Sequence, residues 1–324
     1  MTASGLAILL ALAVPASAAG FFHHLADRLV ARVAPHGPVL VVPAPVAVTW
    51  RPQRLAPSLD LGAPIIALAA GDLDGDGRAE LYAVTSREVV AFAVTGNRVR
   101  ELGRVAFAGD PPAHRPRDPV GAAVIDGTRL VASSSLYART LDVHWRGKLL
   151  VADPGKPGIA LCANEVAQLA PGRNYFGDGA TANYGARCRD DLVSADGHPL
   201  RVRAELSLAG KLDVTVDTCD AARAKCERTS EITYTHAGVG FEIVDLDRDG
   251  RPEVVFTGAG APGEPDELRV VTVGEDEHKT RLRKSFDAGG VAAIAAGELE
   301  RKGPVIVAAV RLEGSTRVDL WRMN

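Results

Sequence analysis

The chain has 324 residues, 47% of them hydrophobic and 24% charged, with a formal net charge of −3 at pH 7. That is ample material for one large core, and single β domains commonly run past about 200 residues. The near-neutral balance gives no basic footprint for nucleic acid.

Residues 1–18 read as a secretory signal. Leu6 to Val14 is an apolar run, Pro15 breaks it, and Ala16-Ser17-Ala18 has the small-x-small cleavage pattern. The run falls far short of the roughly 20 residues a spanning helix needs, and no later segment qualifies as transmembrane. Cleavage is expected before Ala19. No cysteine stands at that point, so a lipid anchor is not expected; the signal departs from the usual pattern in having no Lys or Arg near Met1. Phe21, Phe22, Leu25, Leu29 and Val33 then fall at helical spacing, so residues 19–45 are expected to be a short helix or linker. Residues 35–57 are proline-rich and expected to be extended. His23 and His24 read as a solvated pair.

The first unit opens at Ile65-Ile66-Ala67-Leu68-Ala69-Ala70. It is followed by Asp72-Leu73-Asp74-Gly75-Asp76-Gly77-Arg78-Ala79-Glu80. Carboxylates stand at positions 1, 3, 5 and 9 of this loop, with glycine at 6. Calcium takes six to eight oxygens at roughly 2.3–2.6 Å, and alternating acidic side chains on a tight turn supply them. The Arg78 carbonyl, at position 7, is a candidate main-chain ligand. Leu81–Thr85 and Val89–Val94 follow as strands, rich in β-branched and aromatic residues.

A worn unit begins at Val120–Ile125, its loop cut to Asp126-Gly127. Residues 154–200 read as an irregular insertion. Cys162 and Cys188 lie within it, and Cys219 and Cys226 lie beyond. An even set of four in a chain with an export signal fits two disulfides, for which three connectivities exist. The local pairs Cys162–Cys188 and Cys219–Cys226 are the expected ones. A four-thiolate zinc site is the rival, but no Cys-x-x-Cys spacing supports it.

The second acidic loop is Asp245-Leu246-Asp247-Arg248-Asp249-Gly250-Arg251-Pro252-Glu253, after the strand Val239–Val244. Its acids repeat positions 1, 3, 5 and 9, and the Arg251 carbonyl is its position-7 candidate. Position 12 is Ala83 in one loop and Phe256 in the other, where an EF-hand needs a bidentate Glu between helices. EF-hand is therefore rejected.

Strand, Asp-x-Asp-x-Asp-Gly-x-x-Glu, strand resembles the FG-GAP/VCBS repeat, the blade unit of the integrin α-subunit β-propeller. The likeness covers about 64–110 and 237–324. It implies calcium in both loops, held by Asp72, Asp74, Asp76 and Glu80 and by Asp245, Asp247, Asp249 and Glu253. Both loops close with Glu where the family commonly has Asp.

Val291–Ala296 opens a decayed last unit, with Glu298 and Glu300 at loop positions 1 and 3 and Lys302 at position 5, where a cation repels calcium. That unit ends one strand short of a blade. The orphan segment Gln53–Leu61 has the pattern of the missing strand, so an N-terminal strand is expected to close the ring and cover both edges. The expectation is an all-β propeller over 46–324, of about five four-stranded blades.

No Gly-x-Ser-x-Gly, His-Glu-x-x-His, Walker or Gly-x-Gly-x-x-Gly pattern is present. His144, His236, Asp190-Asp191 and Glu275-Asp276-Glu277 read as surface groups. The leading expectation is a secreted or periplasmic, non-enzymatic calcium-binding module for a protein or glycan ligand. The alternatives are a calcium-assisted polysaccharide lyase or phospholipase-like hydrolase, or a purely structural envelope module.

Overall fold

The fold is known from a computed structural model. It describes residues 44–55, 61, 63–96, 98–109, 119–162, 165–167, 185–207, 209–258, 265–274, 279–286, 290–300, 303–312 and 315–323. The expected signal over residues 1–18, most of the 19–45 segment, Glu275–Glu277 and Lys302 lie outside these. The described residues belong to one unit, Val42–Asn324.

The described chain contains strands and no helix. It opens with β1 (Pro52–Arg54), whose partner comes last. The first blade is β2 (Ile65–Gly71), β3 (Glu80–Thr85), β4 (Glu88–Thr95) and β5 (Arg98–Ala106). The second is β6 (Gly121–Asp126), β7 (Arg129–Ser134), β8 (Arg139–Arg146) and β9 (Leu149–Pro157). Next comes a two-stranded hairpin of β10 (Ile159–Cys162) and β11 (Glu165–Ala167). The third blade is β12 (Ala186–Arg189), β13 (Leu200–Leu206), β14 (Leu212–Cys219) and β15 (Cys226–Tyr234). The fourth is β16 (Ala237–Val244), β17 (Glu253–Gly258), β18 (Asp266–Thr272) and β19 (Lys279–Phe286). The last is β20 (Val291–Glu300), β21 (Gly303–Leu312) and β22 (Ser315–Met323).

Each blade is an antiparallel sheet in simple sequence order, and β1 completes the fifth as its outer strand, in the order β1-β22-β21-β20. Pro52 pairs with Met323, Gln53 with Arg322 and Arg54 with Trp321. The Leu55 N–H continues the ladder to the Leu320 carbonyl at 2.9 Å. This is the expected closure, with five blades around the ring. Of the expected closing segment Gln53–Leu61, residues 56–60 lie outside the described residues.

Side-chain alternation explains why the blades stack. In β3 every residue is buried. Leu81 and Ala83 face Val305, Val307 and Leu320 of the fifth blade, whereas Tyr82 and Val84 face Leu130 and Val143 of the second. In β17, Val255 packs with Ile306 and Trp321, while Val254 and Phe256 pack with Val202 and Val214 of the third. A strand with period-2 side chains and apolar residues at every position can bury both faces only between two neighbouring sheets. The outer strand β5 has no fully buried residue.

The segment read as an irregular insertion contains part of the ring. β10 packs against β6 on one side and β12 on the other, so the β10–β11 hairpin is a wedge between the second and third blades. Ile159 and Ala160 fill against Ala122 and Val124, and Leu161 and Cys162 against Ala186. Both disulfides have the expected pairing. Cys162–Cys188 joins the wedge to β12, and Cys219–Cys226 joins β14 to β15 across their turn.

Glu298 and Glu300 do not sit in a loop. They lie within β20, where Glu298 pairs with Arg248 and Glu300 with Arg322.

Candidate metal centres on one rim of the ring

Both acidic loops join the first strand of a blade to its second and therefore share one rim. In the first loop, backbone N–H groups fix the carboxylates. Asp72 accepts from Gly75 at 2.8 Å, Asp76 at 3.2 Å and Gly77 at 2.8 Å. Asp74 accepts from the Asp76 N–H at 3.0 Å, and Asp76 from the Arg78 N–H at 2.9 Å. Gly75 and Gly77 have φ of 76° and 83°, in the left-handed region that glycine enters at no steric cost. The coil brings one carboxylate oxygen from each of Asp72, Asp74, Asp76 and Glu80 within 4.8 Å of the others. Arg78 stands on the exposed turn.

The second loop repeats this frame. Gly250 donates to Asp245 at 3.0 Å, Asp249 to Asp247 at 3.3 Å and Arg251 to Asp249 at 2.8 Å. Gly250 has φ of 79°, and position 4 keeps its left-handed turn with Arg248 (φ 56°) in place of glycine. The loop is hemmed in. A Cβ on Gly250 would meet the Ala195 nitrogen of the third blade at 2.1 Å, and the Val46 N–H donates to the Asp247 carbonyl at 2.7 Å. Asp245, Asp247 and Glu253 come within 4.8 Å of one another. Asp249 does not join them. Its Oδ2 lies 3.9 Å from the Arg281 guanidinium.

The closing glutamates are the buried members of each set: Glu80 is 4% exposed and Glu253 0%. Each accepts the N–H of the position-2 leucine, Leu73 at 3.2 Å and Leu246 at 2.8 Å. Each also accepts a hydroxyl from its own blade. The Tyr82 hydroxyl reaches Glu80 Oε2 at 2.8 Å, and the Thr272 hydroxyl reaches Glu253 Oε1 at 3.1 Å. In the first loop both bonds fall on Oε2 of Glu80. In the second, both oxygens of Glu253 are engaged.

Crowding and burial make the ionised forms costly. Burial pushes Glu80 up to about 7, reinforced by repulsion from Asp74 and Asp72 and opposed by the Tyr82 and Leu73 bonds. Burial takes Glu253 to about 9 and Asp245 to about 6, with the neighbouring acids adding to both. Asp74 and Asp247 are also raised, first by burial and then by their acidic neighbours. Asp245 Oδ1 is buried with no hydrogen-bond partner. An unsatisfied buried carboxylate oxygen among other carboxylates is where a small hard cation fits, because it removes the repulsion and partners the orphan oxygen. Calcium would be held by Asp72, Asp74, Asp76 and Glu80 in one loop and by Asp245, Asp247 and Glu253 in the other, supplying fixed positive charge that locks each turn.

Sequence reading missed Tyr82, Trp145, Thr272 and Arg281. Tyr82 was accessible to it, two residues beyond Glu80 on one strand and therefore on the same face. The others come from other strands, and no local pattern marks them. A cavity of about 390 Å³ lies beside the first loop, lined by Arg78, Val94, Thr95, Leu299 and Arg322 among others.

No protein-family model and no curated protein matches the chain. Several solved structures do. Kuenenia stuttgartiensis hydrazine synthase is 14% identical, covering 82% of this chain and 78% of that one at a TM-score of 0.37. The SapL1 lectin in complex with alpha methyl fucoside is 10% identical, covering 79% and 76% at 0.36. The PQQ-bound aldose sugar dehydrogenase from Streptomyces coelicolor is 11% identical, covering 88% and 97% at 0.39. Such figures say nothing of ligand or chemistry. Among the described residues no helix is long and apolar enough to cross a membrane.

Proposed function

We propose that this chain is an exported, calcium-binding β-propeller of FG-GAP/VCBS type that acts as a non-enzymatic binding or envelope scaffold module. The observation that carries the reading is the repetition of one acidic cage at the same place in two blades, each built around a buried glutamate fixed by a leucine N–H and a hydroxyl. A solvated acidic turn has no need to bury its last carboxylate or to raise its proton affinity. The two disulfides support an oxidising compartment. Millimolar calcium outside the cytosol makes sites of about 10⁻⁴–10⁻³ M useful there. The ligand in this reading is a protein or glycan.

The test is thermal unfolding with calcium and with chelator. A ligand that binds only the folded state raises stability by mass action. The melting temperature is expected to drop on chelation, and D74A together with D247A is expected to abolish the difference. A melting curve indifferent to chelator sinks the proposal.

A further inference from the structure

The second loop differs from the first in a further respect that the repeat does not explain. A basic side chain from its own blade sits against it. Arg281, on β19, reaches the loop directly at Asp249 and indirectly through Thr272 of β18. Its Nη2 lies 3.9 Å from Asp249 Oδ2, and its Nε donates to the Thr272 hydroxyl at 2.7 Å, the same hydroxyl that donates to Glu253. The guanidinium also lies 5.7 Å from the centre of the Trp50 ring. Trp50 and Val48 pack on the core between the fourth and fifth blades, and Val46 bonds to Asp247. Residues 46–55 thus run as a strap from the second loop to the outer edge of the fifth blade. In the first loop the equivalent acid, Asp76, stands within the cluster. Among the described residues none of that loop's four carboxylates is in an ion pair.

We propose that Arg281 is the affinity-setting residue of the second loop: it competes with calcium for Asp249 and couples metal uptake there to the strap 46–55. The inference rests on the calcium reading above. Metal entering the second loop recruits Asp249 as its fourth carboxylate and releases that acid from Arg281, which keeps its bond to Thr272 and its place over the Trp50 ring. A cation held beside a cation site weakens it by direct repulsion and by occupying a ligand. The first loop is therefore the tighter site, and the second fills later and braces the strap through the Asp247 carbonyl.

The experiment is calorimetric calcium titration of the full chain carrying D74A, which silences the first loop. Adding R281Q is expected to tighten the remaining site about tenfold, D249N to weaken it, and R281Q to give a smaller gain once D249N is present, since only the direct repulsion is then left to relieve. R281K, which keeps the charge, is expected to stay near the parent. Amide exchange at Val46 is expected to slow when calcium is added to the D74A parent. If that parent binds one calcium and R281Q leaves its affinity unchanged or weaker, Arg281 does not set the affinity. Val46 exchange indifferent to calcium overturns the coupling to the strap. If the wild-type chain takes up no calcium at either loop, the functional reading fails, and this inference with it.

Discussion

The Trp145 indole N–H donates to the Tyr82 hydroxyl at 2.9 Å, across the seam between the second blade and the first. Tyr82 is fully buried and passes its own proton toward Glu80 at 2.8 Å. The closing carboxylate of the first loop is thereby tied to the neighbouring blade through two side chains. Replacing Tyr82 with Phe keeps the ring's packing and removes both bonds. Leaving a buried carboxylate short of a donor costs about 1–3 kcal/mol. Y82F is expected to lower the unfolding free energy by that amount in saturating calcium, read as a lower urea midpoint with the slope preserved. An unchanged midpoint would show that the relay contributes nothing.

The raised proton affinities of Glu80 and Glu253 give the metal-free protein a definite pH response. An unfolded chain releases the proton of Glu near pH 4.3, whereas the folded chain holds it to about 7 at Glu80 and about 9 at Glu253. Between those values the folded state binds more protons, so their contribution is greatest at low pH and is lost as pH rises through 7 and then 9. In chelator the melting temperature is expected to fall from pH 5 to pH 9. Calcium binds the deprotonated carboxylates, so it is expected to flatten or reverse that slope. A melting temperature in chelator that climbs across this range contradicts the burial of the two glutamates.

Much of this was legible in the sequence because its signals are local. The two loops, the strands beside them and the paired cysteines are read from spacing within a few residues. The closing strand could be inferred because β20 to β22 end one strand short of the four that each other blade contains. Two features were not legible, and each has a physical reason. The β10–β11 hairpin is only a few residues per strand, too short for period-2 alternation to stand out, and its burial comes from β6 and β12 on either side. Asp249 has the spacing of a ligand, but it stands outside the cluster and 3.9 Å from Arg281, a neighbour that the repeat pattern does not predict. Spacing identifies which side chains can meet, and the surrounding charges decide which of them do.

The disulfides act on different parts of the ring and are expected to differ in cost. Cys219 and Cys226 are 7 residues apart, and Cys162 and Cys188 are 26 apart. On loop-closure entropy alone the shorter cross-link contributes about 2.4 kcal/mol and the longer about 3.5 kcal/mol. The longer one also secures the wedge to β12. Serine at both Cys162 and Cys188 is therefore expected to cost more than serine at Cys219 and Cys226, and to speed amide exchange at Ile159 and Ala160. Equal losses, with no change in exchange there, would show that the hairpin is held by packing alone.

Ring closure rests on few residues. β1 contributes three ladder pairs to β22, and Arg54 adds an ion pair to Asp319 at 2.8 Å, an acid only 4% exposed that Arg317 also holds. Val48 and Trp50 cover the seam that contains Trp321 and Met323. Deleting residues 44–55 removes all of these together. It leaves β22 as an open edge whose backbone groups need water or another chain. The truncated protein is expected to unfold less cooperatively, with a smaller dependence on urea, and to self-associate in sedimentation velocity. R54A alone is expected to be mild, because Arg317 still partners Asp319. If the deletion stays monomeric and unfolds as steeply as the parent, the fifth blade is stable with three strands and the strap does not close the ring.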